Sequence, residues 1–246
     1  MTKRLRYLTT LFLLLLTPLF STPRLHICTT ASDWDPGVDK LLASSNANNL
    51  TVSILGMGEP FSLEKKIRDF HKFLSDLPDG DVALFIDAYD ILLLSNEETI
   101  LERFFSFEAP IVFSGDKTCY PFPQISSHYP PCKTRFRYLN SGAYIGYVKD
   151  LKEVLSEMSP IPQKTDDQGL YALYHLYHPE RFVIDTNAEL FLTLCIEQED
   201  MYVDPFERSV KCLLTHTTPC VAHGNGEGGR IVLDVIYEKL FAQKTD

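Results

Sequence analysis

Apolar runs and helical periodicity alternate along the chain. The segments "RLHICTT" (24–30), "LTVSIL" (50–55), "VALFID" (82–87), "PIVFSG" (110–115) and "GAYIGYV" (142–148) are short and mostly apolar. That is the pattern of strands covered on both faces. Between them, Ser62–Leu77 keeps Leu63, Ile67, Phe70, Phe73, Leu74 and Leu77 on one helical face. Ser95 and Glu98 offer a capping box for a helix through Phe105. Further helices are predicted over Lys149–Met158, Asp167–Tyr177 and Ile231–Phe241. The alternation predicts an α/β fold, a mostly parallel sheet with helices on both faces. The stretch from Tyr120 to Cys132 carries four prolines and no periodicity, and is predicted to be a surface loop near the site.

The segment "DVALFIDAYDILLL" (81–94) drives an apolar strand into Asp87, with Asp90 three positions later. Ligands of open α/β sheets bind outside the carboxyl ends of strands, which is where Asp87 stands. Residues three apart on a straight strand face opposite ways, so the two acids share a ligand only if the chain turns between them. Two readings follow. Either Asp87 caps the turn and Asp90 is solvated, or a divalent cation relieves the repulsion between the two carboxylates. Oxygen ligands suit magnesium, calcium or manganese.

"CVAHGNGEGGR" (220–230) adds His223 at the end of an apolar run, followed by glycines whose backbone N–H groups could cradle phosphate. An imidazole beside two carboxylates favours manganese over magnesium. In "KTDDQGLYALYHLY" (164–177), Asp166 and Asp167 stand at a helix start. There they complement the helix dipole, or one of them accepts the proton of an incoming hydroxyl. Asn140, Ser141 and Gly142, just ahead of a strand, either bind sugar hydroxyls or form a turn.

Composition narrows these readings. A chain of 246 residues, 45% hydrophobic, buries a sizeable core without disulfide staples. A net charge of −10 argues against a nucleic-acid surface. Residues 1–22 carry three basic residues and then an apolar stretch from Leu8 to Phe20, the pattern of a secretory leader or, uncleaved, of a membrane anchor. Residues 23–246 are expected to form a single domain, exported or in a secretory compartment, with membrane contact only through an uncleaved leader. That setting permits disulfides. None of the six cysteines forms a C-x-x-C pair, so a zinc ribbon is unsupported. Cys119 with Cys132, and Cys195 with Cys212, flank loops that a bridge could close, and Cys28 lies in an apolar strand.

Taken together, FIDAYD, LNSGAYIGY, DDQGLY and AHGNG, in this order, resemble the glycosyltransferase domain of the procollagen lysyl hydroxylase family, over roughly Leu25 to Phe241. The resemblance implies a GT-A-like, Rossmann-related fold. It also implies a UDP-hexose donor, manganese, and transfer of glucose or galactose to a hydroxylysine-linked, collagen-like or glycan acceptor. Position by position it assigns Asp87, Asp90 and His223 to the metal, Thr30 to uridine and Lys66 to the donor side. Gly224, Asn225 and Gly226 match the diphosphate-facing turn, and Asp166 and Asp167 the acceptor side. Tyr120 stands where the family has a tryptophan, and Gly229 where it has a lysine, with Arg230 the nearest cation. The only H-x-[DE] string is His178-Pro179-Glu180, so lysyl hydroxylation is not expected. A secreted metal-dependent phosphohydrolase and a non-catalytic nucleotide-sugar or glycan binder are the rival readings.

Overall fold

A computed structural model describes residues 22–162, 164–194 and 200–242. The predicted leader, apart from Thr22, and Cys195 lie outside the described residues. Among the described residues no helix is long and apolar enough to cross a membrane.

The fold is built on a six-stranded sheet of order β2-β1-β3-β6-β5-β7. Its strands are β1 (Leu25–Thr30), β2 (Val52–Leu55), β3 (Val82–Ile86), β5 (Ile111–Asp116), β6 (Tyr138–Tyr147) and β7 (Val183–Asp185). Only β6 runs against the rest, pairing antiparallel with β3 and β5. The sheet is therefore mostly parallel, as expected of a GT-A-like, Rossmann-related architecture. Period-2 alternation splits each strand between two cores. Ile27, Val82, Leu84 and Ile86 pack with Leu41 of α1 (Pro36–Ala47) and with Ile100 and Phe104 of α3 (Glu97–Ser106). Cys28, Ala83, Phe85 and Phe113 face α2 (Leu63–Ser75), α4 (Val148–Glu157) and α5 (Asp167–Tyr177). Phe85, Phe113 and Tyr144 stack there, with centroids 4.5 and 5.2 Å apart. This stack stiffens the layer beneath the acids.

A second, three-stranded sheet, β4-β11-β8, holds β4 (Ile91–Leu93), β8 (Phe191–Thr193) and β11 (Val221–His223). α6 (Gly226–Leu240) follows β11 directly, and β9 (Met201–Asp204) and β10 (Ser209–Cys212) form a separate hairpin.

Several local expectations are corrected. The third helix is capped by Asn96, whose side chain accepts from Thr99 N, and not by Ser95. α6 begins at Gly226, five residues before the predicted Ile231, because the glycines form its first turn. The strand "GAYIGYV" extends back to Tyr138, so Asn140, Ser141 and Gly142 are not a turn. α1 was missed although Asp35 caps it and Pro36 opens it, a recognised start signal. The Pro-rich loop contains a 3-10 turn, Pro123–His128. Cys119, Cys132 and Cys212 are free thiols: Cys119 Sγ donates to Phe122 O, and Cys132 Sγ lies 3.4 Å from Thr134 Oγ1.

Candidate functional site

Asp87 and Asp90 meet because the chain leaves one sheet for the other between them. β3 ends at Ile86, a tight turn follows, and β4 begins at Ile91. Two backbone bonds pin the turn: Asp87 N donates to Gly142 O (2.8 Å), and Gly224 N donates to Asp90 O (2.7 Å). The register of β11 on β4 sets His223 opposite Ile91. The imidazole Nε2 then lies 3.6 Å from Asp90 Oδ1 and 3.9 Å from Asp87 Oδ2. Among the described residues these three are the one cluster of at least three His, Cys, Asp or Glu side chains close enough to share a cation. The separations exceed a hydrogen bond, and the buried Nδ1 has no partner either. His223 is thus a 97% buried imidazole satisfied at neither nitrogen by the protein.

The β5–β6 pairing explains how the floor is made. Phe113 faces Tyr144, yet Ser114 faces Asn140, so Ser141–Ala143 bulge out of that ladder. Bulges re-aim side chains and free backbone groups. Here the freed amides find side chains: Ser141 N donates to Gln168 Oε1 (3.2 Å) and Gly142 N to Asn140 Oδ1 (2.9 Å). A Cβ on Gly142 would lie 2.1 Å from His223 Cε1, so the imidazole rests where a side chain would otherwise stand.

Lys66 links the metal-type cluster to α5. Its Nζ lies 2.6 Å from Asp87 Oδ1 and 2.7 Å from Asp167 Oδ2, over the Phe85 ring. Burial opposes its charge, but Asp167 and Asp87 outweigh that and hold its pKa above the usual lysine range. Burial raises the pKa of Asp87; Lys66 opposes the rise and Asp90 adds to it. Asp167 Oδ2 also accepts from Ser141 Oγ (3.0 Å), and neither bond uses Oδ1. Asp166, by contrast, is the N-cap of α5, accepting from Gly169 N at 2.7 Å.

These groups surround one cavity of about 500 Å³. Lys66, Asp87, Asp90, Tyr120, Asn140, Ser141, Gly142, Asp166, Asp167, His223, Asn225 and Gly226 all line it. Thr30 and Gly224 do not. Thr30 is buried at the end of β1 against the Gly56 segment, and Gly224 packs on Gly229 and Leu233. Gly229 has no room for a side chain: a Cβ would meet Leu194 O at 2.6 Å. Arg230, the next residue, brings its Nη2 to 3.4 Å from Asp90 Oδ2. The sequence reading missed Asp116, which ends β5 as Asp87 follows β3. Its Oδ2 accepts from Asn140 and Asn225 at 3.0 and 2.9 Å, tying the bulge to the Gly-Asn-Gly turn. The strand-end acid in "FSGD" was the available signal.

The family profile described as the PLOD GT domain matches residues 21–238. A Caenorhabditis elegans relative, "Multifunctional procollagen lysine hydroxylase and glycosyltransferase", is 28% identical over 233 residues, 87% of this chain and 32% of that protein. An uncharacterized protein of Acanthamoeba polyphaga mimivirus is 28% identical over 207 residues, covering 80% of this chain and 44% of its own length. The human "Procollagen-lysine,2-oxoglutarate 5-dioxygenase 1" is 26% identical over 219 residues, 82% of this chain and 30% of that one. The chain thus spans between about a third and less than half of these relatives. With the matched profile covering nearly all of its described residues, this chain belongs to the PLOD GT domain family.

Proposed function

We propose that the chain is a manganese-dependent hexosyltransferase that moves glucose or galactose from a UDP-sugar to a hydroxyl acceptor. The observation that carries this reading is the joining, in one cavity, of an Asp-Asp-His cluster to a buried carboxylate, Asp167, through Lys66. The donor set suits manganese, a cation that takes carboxylate oxygens: two carboxylates, and an imidazole left unsatisfied by the protein. When bound, that cation supplies Lewis-acid stabilisation of the diphosphate leaving group.

The chain's own groups do the rest. The start of α6 borders the cavity at Asn225 and Gly226, and the positive end of its helix dipole suits a diphosphate. Arg230, one turn further along α6, adds a cation beside Asp90. Tyr120, 62% exposed at the rim, offers a ring face to the sugar. Lys66 and Ser141 fix Asp167 through Oδ2, leaving Oδ1 to orient an acceptor hydroxyl and take its proton. Asp166, engaged as a cap, serves that role only by shaping the helix start. A collagen-like, hydroxylysine-bearing acceptor is the reading supported by the collagen-modifying names of the relatives. The leader pattern supports an exported or secretory location.

A screen of UDP-sugars with several divalent metals tests the reaction: UDP release with manganese supports it. Phosphate release from simple monoesters instead would select a phosphohydrolase. Asp167→Asn is expected to keep UDP affinity within about twofold while transfer to acceptor falls by roughly 10²–10⁴-fold. Calorimetry and transfer assays on the same preparation separate the two effects, and full turnover by the variant would remove Asp167 from the mechanism.

A further inference from the structure

The turn after α1 contains Asn49-Leu50-Thr51, the only Asn-x-Ser/Thr string in the sequence. A Schellman closure ends the helix there: Leu50 N donates to Ser45 O (3.0 Å) and Asn49 N to Asn46 O (3.1 Å). Asn49 takes the left-handed conformation, with φ 57°, which asparagine tolerates better than most side chains. The two neighbouring asparagines then differ. Asn48 is half-buried, and its Nδ2 donates to Ser44 O and Leu93 O, both at 2.9 Å. Asn49 is exposed, and among the described residues its side-chain amide has no hydrogen-bond partner. Leu50 is buried, with its carbonyl accepting from Ser45 Oγ, and Thr51 is exposed. Helix termination accounts for an asparagine at 49 but asks nothing of residue 51.

Thr51 leads into β2, an edge of the six-stranded sheet that pairs only with β1. Edge strands present unpaired backbone groups, and proteins blunt them with charge, proline or a bulge. Val52–Leu55 has no charged residue and no proline, and its register on β1 is unbroken. β2 runs parallel to β1, and β1 to β3, whose carboxyl end leads into Asp87. Residues 49–51 therefore stand at the opposite, amino end of the sheet, and none of them lines the cavity.

We propose that Asn49 is a site of N-linked glycosylation and that its glycan screens the open edge of β2. The proposal rests on the exported location inferred above. The glycan comes from a polyisoprenyl diphosphate-linked oligosaccharide, used by a separate oligosaccharyltransferase of the secretory compartment. The Asn49 amide nitrogen bonds to the anomeric carbon as the bond from that carbon to the diphosphate oxygen breaks. The diphosphate leaves with the electron pair, and the amide gives one proton to a base of that transferase. The Thr51 hydroxyl completes the acceptor string. A glycan at the amino end of the sheet leaves the donor cavity open.

The full chain, with its own leader, is translated in the presence of endoplasmic-reticulum vesicles. An Asn-x-Thr tripeptide confirms that their transferase is active. Protection from added protease reports import, and a shift reversed by peptide-N-glycosidase reports the glycan. The protected chain should show a single such shift, located at Asn49 by peptide mass spectrometry. It should be lost in Asn49→Gln and Thr51→Ala and kept in Thr51→Ser. Thr51→Ala, which retains Asn49 in its turn, should also self-associate more than wild type when both are secreted from a eukaryotic host, as read by light scattering, with Tm unchanged. A protected chain without the shift overturns the modification and leaves the exported location standing, whereas a chain left outside the vesicles overturns both. Equal self-association of Thr51→Ala and wild type overturns the screening role.

Discussion

Asp87→Ala is expected to abolish manganese-dependent UDP binding, lowering affinity by more than about 100-fold. Loss of even an outer partner of a metal site costs roughly 10–100-fold, and Asp87 is placed as a direct ligand. The fold should survive the change. Lys66 keeps Asp167 at 2.7 Å, so the buried ammonium is not stranded. The carboxylate removed is one that burial already disfavours. Thermal unfolding supplies a readout that does not depend on turnover. Manganese at about 100 times its Kd adds about 2.7 kcal/mol to the folded state. In a chain of this size that is roughly 5–11 °C in Tm. Wild type should show the shift and Asp87→Ala should not. Unchanged UDP affinity in the variant, with the manganese shift intact, would dismiss the Asp-Asp-His cluster as a metal site.

How far the sequence revealed this site depends on which interactions are local. The strand ending at Asp87 was legible because five successive apolar residues, Val82–Ile86, are buried in the middle of a sheet. α5 was legible from its acids and its periodicity, and its observed span matches the expected one. The turn between Asp87 and Asp90 was not forced by glycine or proline. It exists because β4 is claimed by β11, a partner more than a hundred residues away. The bulge at Ser141–Ala143 was invisible for the same reason. Its amides are satisfied by Gln168 and Asn140 side chains, and no local pattern announces that exchange. The glycines after His223 read as a loop because glycine has low helix propensity. Tertiary packing of Gly229 on Gly224 makes them a helix start instead. Apart from Thr30 and Gly224, the residues gathered by motif resemblance line one cavity, but the resemblance did not reveal Asp116, which orders two of them.

Gly142→Ala is expected to be the most damaging single methyl that can be added to the molecule's site. The new carbon would fall 2.1 Å from His223 Cε1 and 2.7 Å from each ring nitrogen. Residue 142 bulges from the β5 ladder, but its neighbour Ala143 is paired with Ile86 of β3, which limits any retreat. Asp87 N is also bonded to the carbonyl of residue 142 itself. The ring must therefore rotate or shift, yet it is 3% exposed and sits on a strand fixed between β4 and β8. Overpacking of this kind costs about 1–3 kcal/mol. That should appear as a fall in Tm of roughly 2–12 °C. The manganese-induced shift should vanish with it, because His223 Nε2 no longer faces the two carboxylates. A double-mutant cycle assigns the cause. His223→Ala alone should lose the manganese shift. Adding Gly142→Ala to it should cost under about 0.5 kcal/mol, since the methyl then occupies the space the ring has left. If Gly142→Ala destabilises the His223→Ala background as much as the wild type, the imidazole does not rest on residue 142, and the geometry proposed for the cation site falls with it.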